Sequence, residues 1–176
     1  MHFDERWTEP WQIDALQELV RRTGHLSGEV IEIGTWQGLT AIPIAQAVAP
    51  RILHVVDHWK GSSDIPRELS DRNNFGTFVQ NLLDSHTTNV CIHQQDWKEF
   101  AEEWLGYIRF IYLDAGHEQV EVENQIMSFQ NHMQKGGIMA GDDYGLESVQ
   151  LAVHNLFPFD KIHVRDGKLW WVAGWS

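Results

Sequence analysis

Acidic side chains recur in this chain where short apolar runs rich in isoleucine and valine stop: Glu32, Asp57, Asp96, Asp114 and the pair Asp142-Asp143. Each has neighbours with complementary chemistry. The first run leads into Glu32-Ile33-Gly34-Thr35-Trp36-Gln37-Gly38-Leu39-Thr40. Its glycines permit a tight turn and close approach of backbone to a ligand, and a helix beginning there offers its N-terminus to an anionic group. The G-x-G-x-x-G spacing suited to a dinucleotide pyrophosphate is absent. Asp57 follows the second run, roughly 20 residues beyond the glycine turn, where an acid can accept hydrogen bonds from both hydroxyls of a ribose. Gln95-Asp96-Trp97 follows the third run and joins a polar acceptor to an aromatic face, as an adenine pocket requires. Asp96 is equally suited to capping a helix. Asp114-Ala115-Gly116-His117 follows the fourth run and Asp142-Asp143 the fifth.

The elements that must hold these residues alternate. Apolar runs predict strands at about 29–33, 51–57, 89–94, 108–113 and 136–141. Amphipathic segments between and after them predict helices at about 38–48, 72–85, 97–105, 118–134 and 145–156. A further helix precedes the first strand, with Thr8 as its cap, Pro10 at its entry, and Ile13, Leu16, Leu19 and Val20 on one face. Such alternation means βαβ units and a parallel sheet covered on both faces, in which ligands bind beyond the carboxyl ends of the strands. The ending departs from that rhythm. Strand-like runs at 161–164 and 168–172 flank Arg165-Asp166-Gly167, a hairpin signal.

Composition narrows the function. The 176 residues suit one domain, expected as a core over 28–176 preceded by a helical extension over 1–27. With 13 basic against 25 acidic residues the formal charge is −12, which disfavours a nucleic-acid backbone as partner. No apolar run reaches the ~18 residues that would span a bilayer. No secretory signal is visible at the start, and Cys91 is the only cysteine, so a cytoplasmic address is expected.

The segments VIEIGTWQGLT, HVVDHW, FIYLDAGHEQVEVENQI and GGIMAGDDYGLESVQLAV, with the terminal hairpin, resemble the class I S-adenosylmethionine-dependent methyltransferases. Within that class they resemble the small O-methyltransferase-like group that includes macrocin-type sugar methyltransferases. The resemblance runs over about 28–175. It implies an α/β fold: a Rossmann-like three-layer sandwich whose seven-stranded, mostly parallel sheet ends in an antiparallel hairpin. It implies that Gly34, Thr35, Trp36 and Gly38 wrap the methionine half of S-adenosylmethionine, that Glu32 braces that loop or the amino group, and that Thr40 bonds the carboxylate. Asp57, flanked by His58 and Trp59, would hold the ribose, with Gln95, Asp96 and Trp97 around the adenine and Asp114 at the reacting end. By the same resemblance Asp114, Asp142 and Asp143 would ligate a divalent cation, magnesium, and His117 would be the base.

This assignment is chemically coherent. Clustered carboxylates repel unless a cation or a proton intervenes, and a metal-polarised hydroxyl loses its proton readily to a histidine near neutral pH. The expected activity is metal-assisted methylation of a hydroxyl on a small molecule, with neither nucleic acid nor membrane as partner. Nine tryptophans are many for this length, and each suits a core, a subunit contact in a homo-oligomer or an acceptor pocket. Trp59 either packs on adenine or anchors its loop, and the irregular stretch 58–74 reads as a lid or binding element. Two alternatives are a non-catalytic S-adenosylmethionine-binding protein, suggested by the divergent Glu118-Gln119-Val120, and an NAD-dependent oxidoreductase.

Overall fold

The computed structural model describes residues 1–4, 7–61 and 66–175. The centre of the 58–74 stretch, 62–65, lies outside them. Strands β1 (Glu29–Ile33), β2 (Leu53–Asp57), β3 (Val90–Gln94), β4 (Ile108–Leu113) and β5 (Met133–Gly141) run parallel, with β4 buried throughout, the start of β5 exposed at Lys135 and Gly136, and the edge strand β3 the most open. Strands β6 (Ile162–Arg165) and β7 (Leu169–Ala173) form the hairpin, and β7 adds antiparallel to β5. The resulting order is β3-β2-β1-β4-β5-β7-β6. The sheet therefore reverses its direction of growth between β1 and β4, and a crevice opens beyond the strand ends at such a reversal.

Side-chain alternation along the strands divides the core into two layers. Val30, Val55, Phe110 and Tyr112 face α1 (Pro10–Arg22), α2 (Ala41–Val48) and, across a short helix α3 (Arg67–Ser70), α4 (Asn74–Asp84). Ile31, Ile33, Val56, Ile111 and Met139 face α5 (Trp97–Glu103), α6 (Gln119–Gln130) and α7 (Glu147–Leu156). The Rossmann-like three-layer sandwich with its antiparallel ending is thus present. Among the described residues no helix is long and apolar enough to cross a membrane.

The first helix is fixed at both ends. Its cap is Glu9 rather than Thr8, in a capping box where Gln12 returns a hydrogen bond from the Glu9 amide. At the other end the buried Arg109 of β4 donates to the Val20 carbonyl and to Thr23 Oγ1 at 3.3 and 2.9 Å. This places Gln12, on the same buried stripe as Leu16, Leu19 and Val20, over the carboxyl end of β5. The short helix α3 stands in a stretch expected to be irregular, and the other differences are of length. Helix α6 stops at Gln130 and β5 begins at Met133, because Gly136 at φ +83° lets that strand absorb the polar Gln134-Lys135 pair.

Candidate active site

The carboxyl ends of β1, β2, β3, β4 and β5 open into one cleft of about 460 Å³, a size suited to a nucleoside-bearing ligand. Its first wall is the loop after β1. Gly34 has φ +85°, and a Cβ there would lie 2.0 Å from the Asp114 carbonyl oxygen, so only glycine allows the loop to cross the end of β4. Two features behind the loop set its shape. The Thr35 and Trp36 amides both donate to Asp57 Oδ2, at 2.9 and 2.8 Å, and the Trp59 amide donates to Asp57 Oδ1 at 2.6 Å. Beneath lies Glu32, fully buried, accepting from Thr40 Oγ1 at 2.6 Å and Thr35 Oγ1 at 3.2 Å.

Burial pushes the Glu32 carboxyl up to about 8, against the two threonine hydrogen bonds, which lower it. The folded chain therefore holds a proton that the unfolded chain releases near the ordinary 4.5. Stability should fall as pH rises from that value toward 8, by on the order of a few kcal/mol. Asp114 and Asp142, also raised by burial, act in the same direction. Urea midpoints across this range test the point: Glu32→Gln should flatten the decline, whereas wild-type stability rising toward pH 8 would contradict it.

The opposite wall belongs to β4 and β5. Asp114, His117 and Asp143 each present one donor atom, all within 4.8 Å of one another. The His117 Nε2 to Asp143 Oδ2 distance is 2.9 Å. Asp143 holds φ +56°, a left-handed conformation that costs about 1–2 kcal/mol for a residue with a Cβ and that aspartate tolerates better than most. Burial and the neighbouring Asp142 and Asp143 charges hold Asp114 well above the usual carboxylate range. Asp142 is turned elsewhere. Its Oδ1 accepts from Gln12 Nε2 at 2.8 Å and its Oδ2 lies 3.9 Å from Lys168 Nζ. Asp114 and Asp143 offer oxygen donors from half-buried positions and fit a hard divalent cation such as magnesium, with the His117 imidazole beside them.

Of the residues expected to hold a cofactor, the structure sets Gly34, Thr35, Trp36, Thr40, Asp57, His58, Gln95, Asp96, Trp97 and Asp114 on the cleft wall. Glu32, Gly38 and Trp59 stand behind it. Gly38 faces the Phe78 ring, and Trp59 is buried against Phe75 and Phe78 while its Nε1 donates to the Trp36 carbonyl. Asp96 also caps α5, accepting from the Lys98 amide at 2.9 Å. Trp36 Nε1 is buried with no hydrogen-bond partner among the described residues, so the wall carries a donor that a polar ligand would satisfy.

Sequence reasoning missed Lys168, Phe3, Gln12 and Glu121, and reached Trp7 only as one of nine tryptophans each suited to an acceptor pocket among other places. Phe3, Trp7, Glu121 and Lys168 line the cleft, and Lys168 donates to the Trp7 carbonyl. Asp4 pins the N-terminal segment by exchanging hydrogen bonds with Gln37 and pairing with Arg72 at 2.8 Å. Gln12 had a legible signal, a polar residue on an apolar helical stripe. Lys168, brought to Asp142 by the hairpin, had none.

A family model described as a methyltransferase domain matches residues 31–144. Among solved structures, the O-methyltransferase NovP is 16% identical, covering 94% of this chain and 80% of its own, with a TM-score of 0.74. CalS11, a calicheamicin methyltransferase, is 15% identical over 93% of this chain and 78% of its own, also at 0.74. An O-methyltransferase from Bacillus cereus, solved in complex with SAH, is 15% identical over 94% and 82%, at 0.70. At such identities the likeness establishes the fold. No curated protein matches the sequence.

Proposed function

The chain belongs to the methyltransferase-domain family, and from that premise we propose that it transfers the methyl group of S-adenosylmethionine to a hydroxyl of a small molecule, assisted by a divalent cation. The observation carrying this reading is the meeting, in one cleft, of the Gly34 loop with Asp114, His117 and Asp143. The NAD-dependent alternative falls with family membership and with the antiparallel hairpin.

When bound, S-adenosylmethionine supplies a methyl group on a cationic sulfur, and a divalent ion lowers the pKa of a hydroxyl that it binds. The chain's own residues do the rest. Asp57 fixes the loop amides and keeps one lone pair, on Oδ1, for a ribose hydroxyl. Trp97 and Asp96 offer a ring face and an acceptor to adenine. Asp114 and Asp143 would hold the ion, and His117, oriented by Asp143, takes the hydroxyl proton. Asp142, tied to Gln12 and Lys168, backs the site electrostatically. Trp7 and Phe3 shape the acceptor end. A cytoplasmic setting accompanies the reading, supported by a lone half-buried cysteine that can form no internal disulfide. A small acceptor, with no nucleic acid or membrane as partner, agrees with the charge of −12.

Transfer of labelled methyl to a panel of sugar and phenolic hydroxyls, with and without chelator, tests this. Turnover on at least one acceptor, lost in chelator and restored by magnesium, is expected. Full activity in chelator would remove the ion from the mechanism, and no transfer to any hydroxyl would remove O-methylation.

A further inference from the structure

A second cluster of ligating side chains lies away from the cleft, on the sheet face covered by α5. In the parallel register His54 of β2 is opposite Cys91 of β3, and His93 follows two residues along the same strand. All three side chains thus project from one face. Their donor atoms lie within 4.8 Å of one another, and all three residues are half-buried. None lines the methyl-transfer cleft. The same face elsewhere carries Ile31, Ile33 and Val56, so a polar trio stands in a row that packing alone would fill with apolar groups.

The imidazoles are already arranged as ligands. His54 Nδ1 and His93 Nε2 are 3.0 Å apart, so one of the two nitrogens carries a lone pair aimed at the other. Two nitrogens on a tetrahedral zinc ion are about 3.3 Å apart, given bonds of about 2.0–2.1 Å, so the observed spacing is close to the one needed. Glu29 of β1 stands behind, its Oε2 at 3.8 Å from His54 Nε2. A carboxylate on that side favours the tautomer protonated at Nε2, leaving Nδ1 free to ligate, as carboxylates behind zinc-bound histidines do. Aromatic rings close the outside: Trp104 packs edge-on against His54 and Phe100 lies against His93. A thiol and two imidazoles are a borderline-soft set, unlike the oxygen-rich group of the cleft.

We propose that His54, Cys91 and His93 bind a zinc(II) ion, with the fourth position open to water, at a site separate from and independent of the methyl-transfer centre. Binding requires the Cys91 thiolate, so the thiol proton is released to solvent as the Zn–S bond forms. The ion would tie the edge strand β3, whose Ile92 is exposed, to β2. Its role would therefore be structural.

The test uses the full chain, stripped with chelator and dialysed, then titrated with cobalt(II) as a spectroscopic substitute and with zinc(II). Wild type should develop a saturable thiolate-to-cobalt charge-transfer band in the near ultraviolet, abolished by zinc. Zinc should also raise the thermal midpoint. Cys91→Ser should lose the band and weaken zinc binding at least about 100-fold, since loss of a ligand costs no less than loss of its supporting shell. Asp143→Asn should keep both. Absence of the band in wild type, or zinc binding unchanged in Cys91→Ser and lost in Asp143→Asn, would overturn the proposal. Should Cys91→Ser fold poorly, the wild-type band and its zinc competition decide the matter alone.

Discussion

Replacing His117 with alanine lowers kcat for methyl transfer by about 10²–10⁴-fold while leaving cofactor affinity nearly unchanged. The expectation follows from position. His117 leaves the end of β4 through the Ala115-Gly116 bend and meets Asp143 at 2.9 Å, a base with its orienting carboxylate. The cofactor contacts proposed above lie elsewhere, at Asp57 of β2 and Trp97 of α5, so binding and chemistry separate in this variant. The pH–rate profile should lose the limb that protonation of the base produces. Single-turnover rates provide the reading. A rate within a few-fold of wild type, with the limb intact, would show that the hydroxyl loses its proton by another route.

The second large effect is expected at Gly34. Alanine there brings a Cβ to 2.0 Å from the Asp114 carbonyl oxygen and 2.7 Å from the Ala115 nitrogen, at a backbone φ of +85°. Both contacts are rigid backbone, so the loop must move away from β4. Strain and overpacking together should cost about 2–4 kcal/mol. Since the moving loop is the cofactor wall, S-adenosylhomocysteine binding should vanish as well. Gly174 is the control: it has φ +84°, but a Cβ added there would meet nothing within 4 Å, so its alanine variant should show the backbone strain alone. Denaturation midpoints that place the two variants level would remove the steric argument.

How much of this was legible in the sequence differs between fold and site. The five parallel strands and the hairpin follow from isoleucine- and valine-rich runs and an Asp-Gly turn, local signals that the sheet reproduces. The short helix α3 is polar on most sides and gave no periodicity. At the site, residue types following a strand were readable, because their place depends only on where the strand stops. Their partners were not. Asp142 is held by Gln12, 130 residues earlier in sequence, and by Lys168 from the hairpin, so where its oxygens point depends on three distant segments meeting. The role of Trp59 was undecidable for a related reason. A left-handed φ of +55° aims its ring beneath the loop, and nothing in the residues around it specifies that angle.

The central claim is that the cleft beyond β1, β2 and β4 binds the methyl donor, and calorimetric titration of the wild-type chain with S-adenosylhomocysteine addresses it without needing an acceptor. Saturable binding at one site per chain, unaffected by chelator and lost in Gly34→Ala, is the predicted result. A folded wild-type chain that gives no heat and no thermal shift at any attainable concentration of S-adenosylhomocysteine or S-adenosylmethionine would contradict the account.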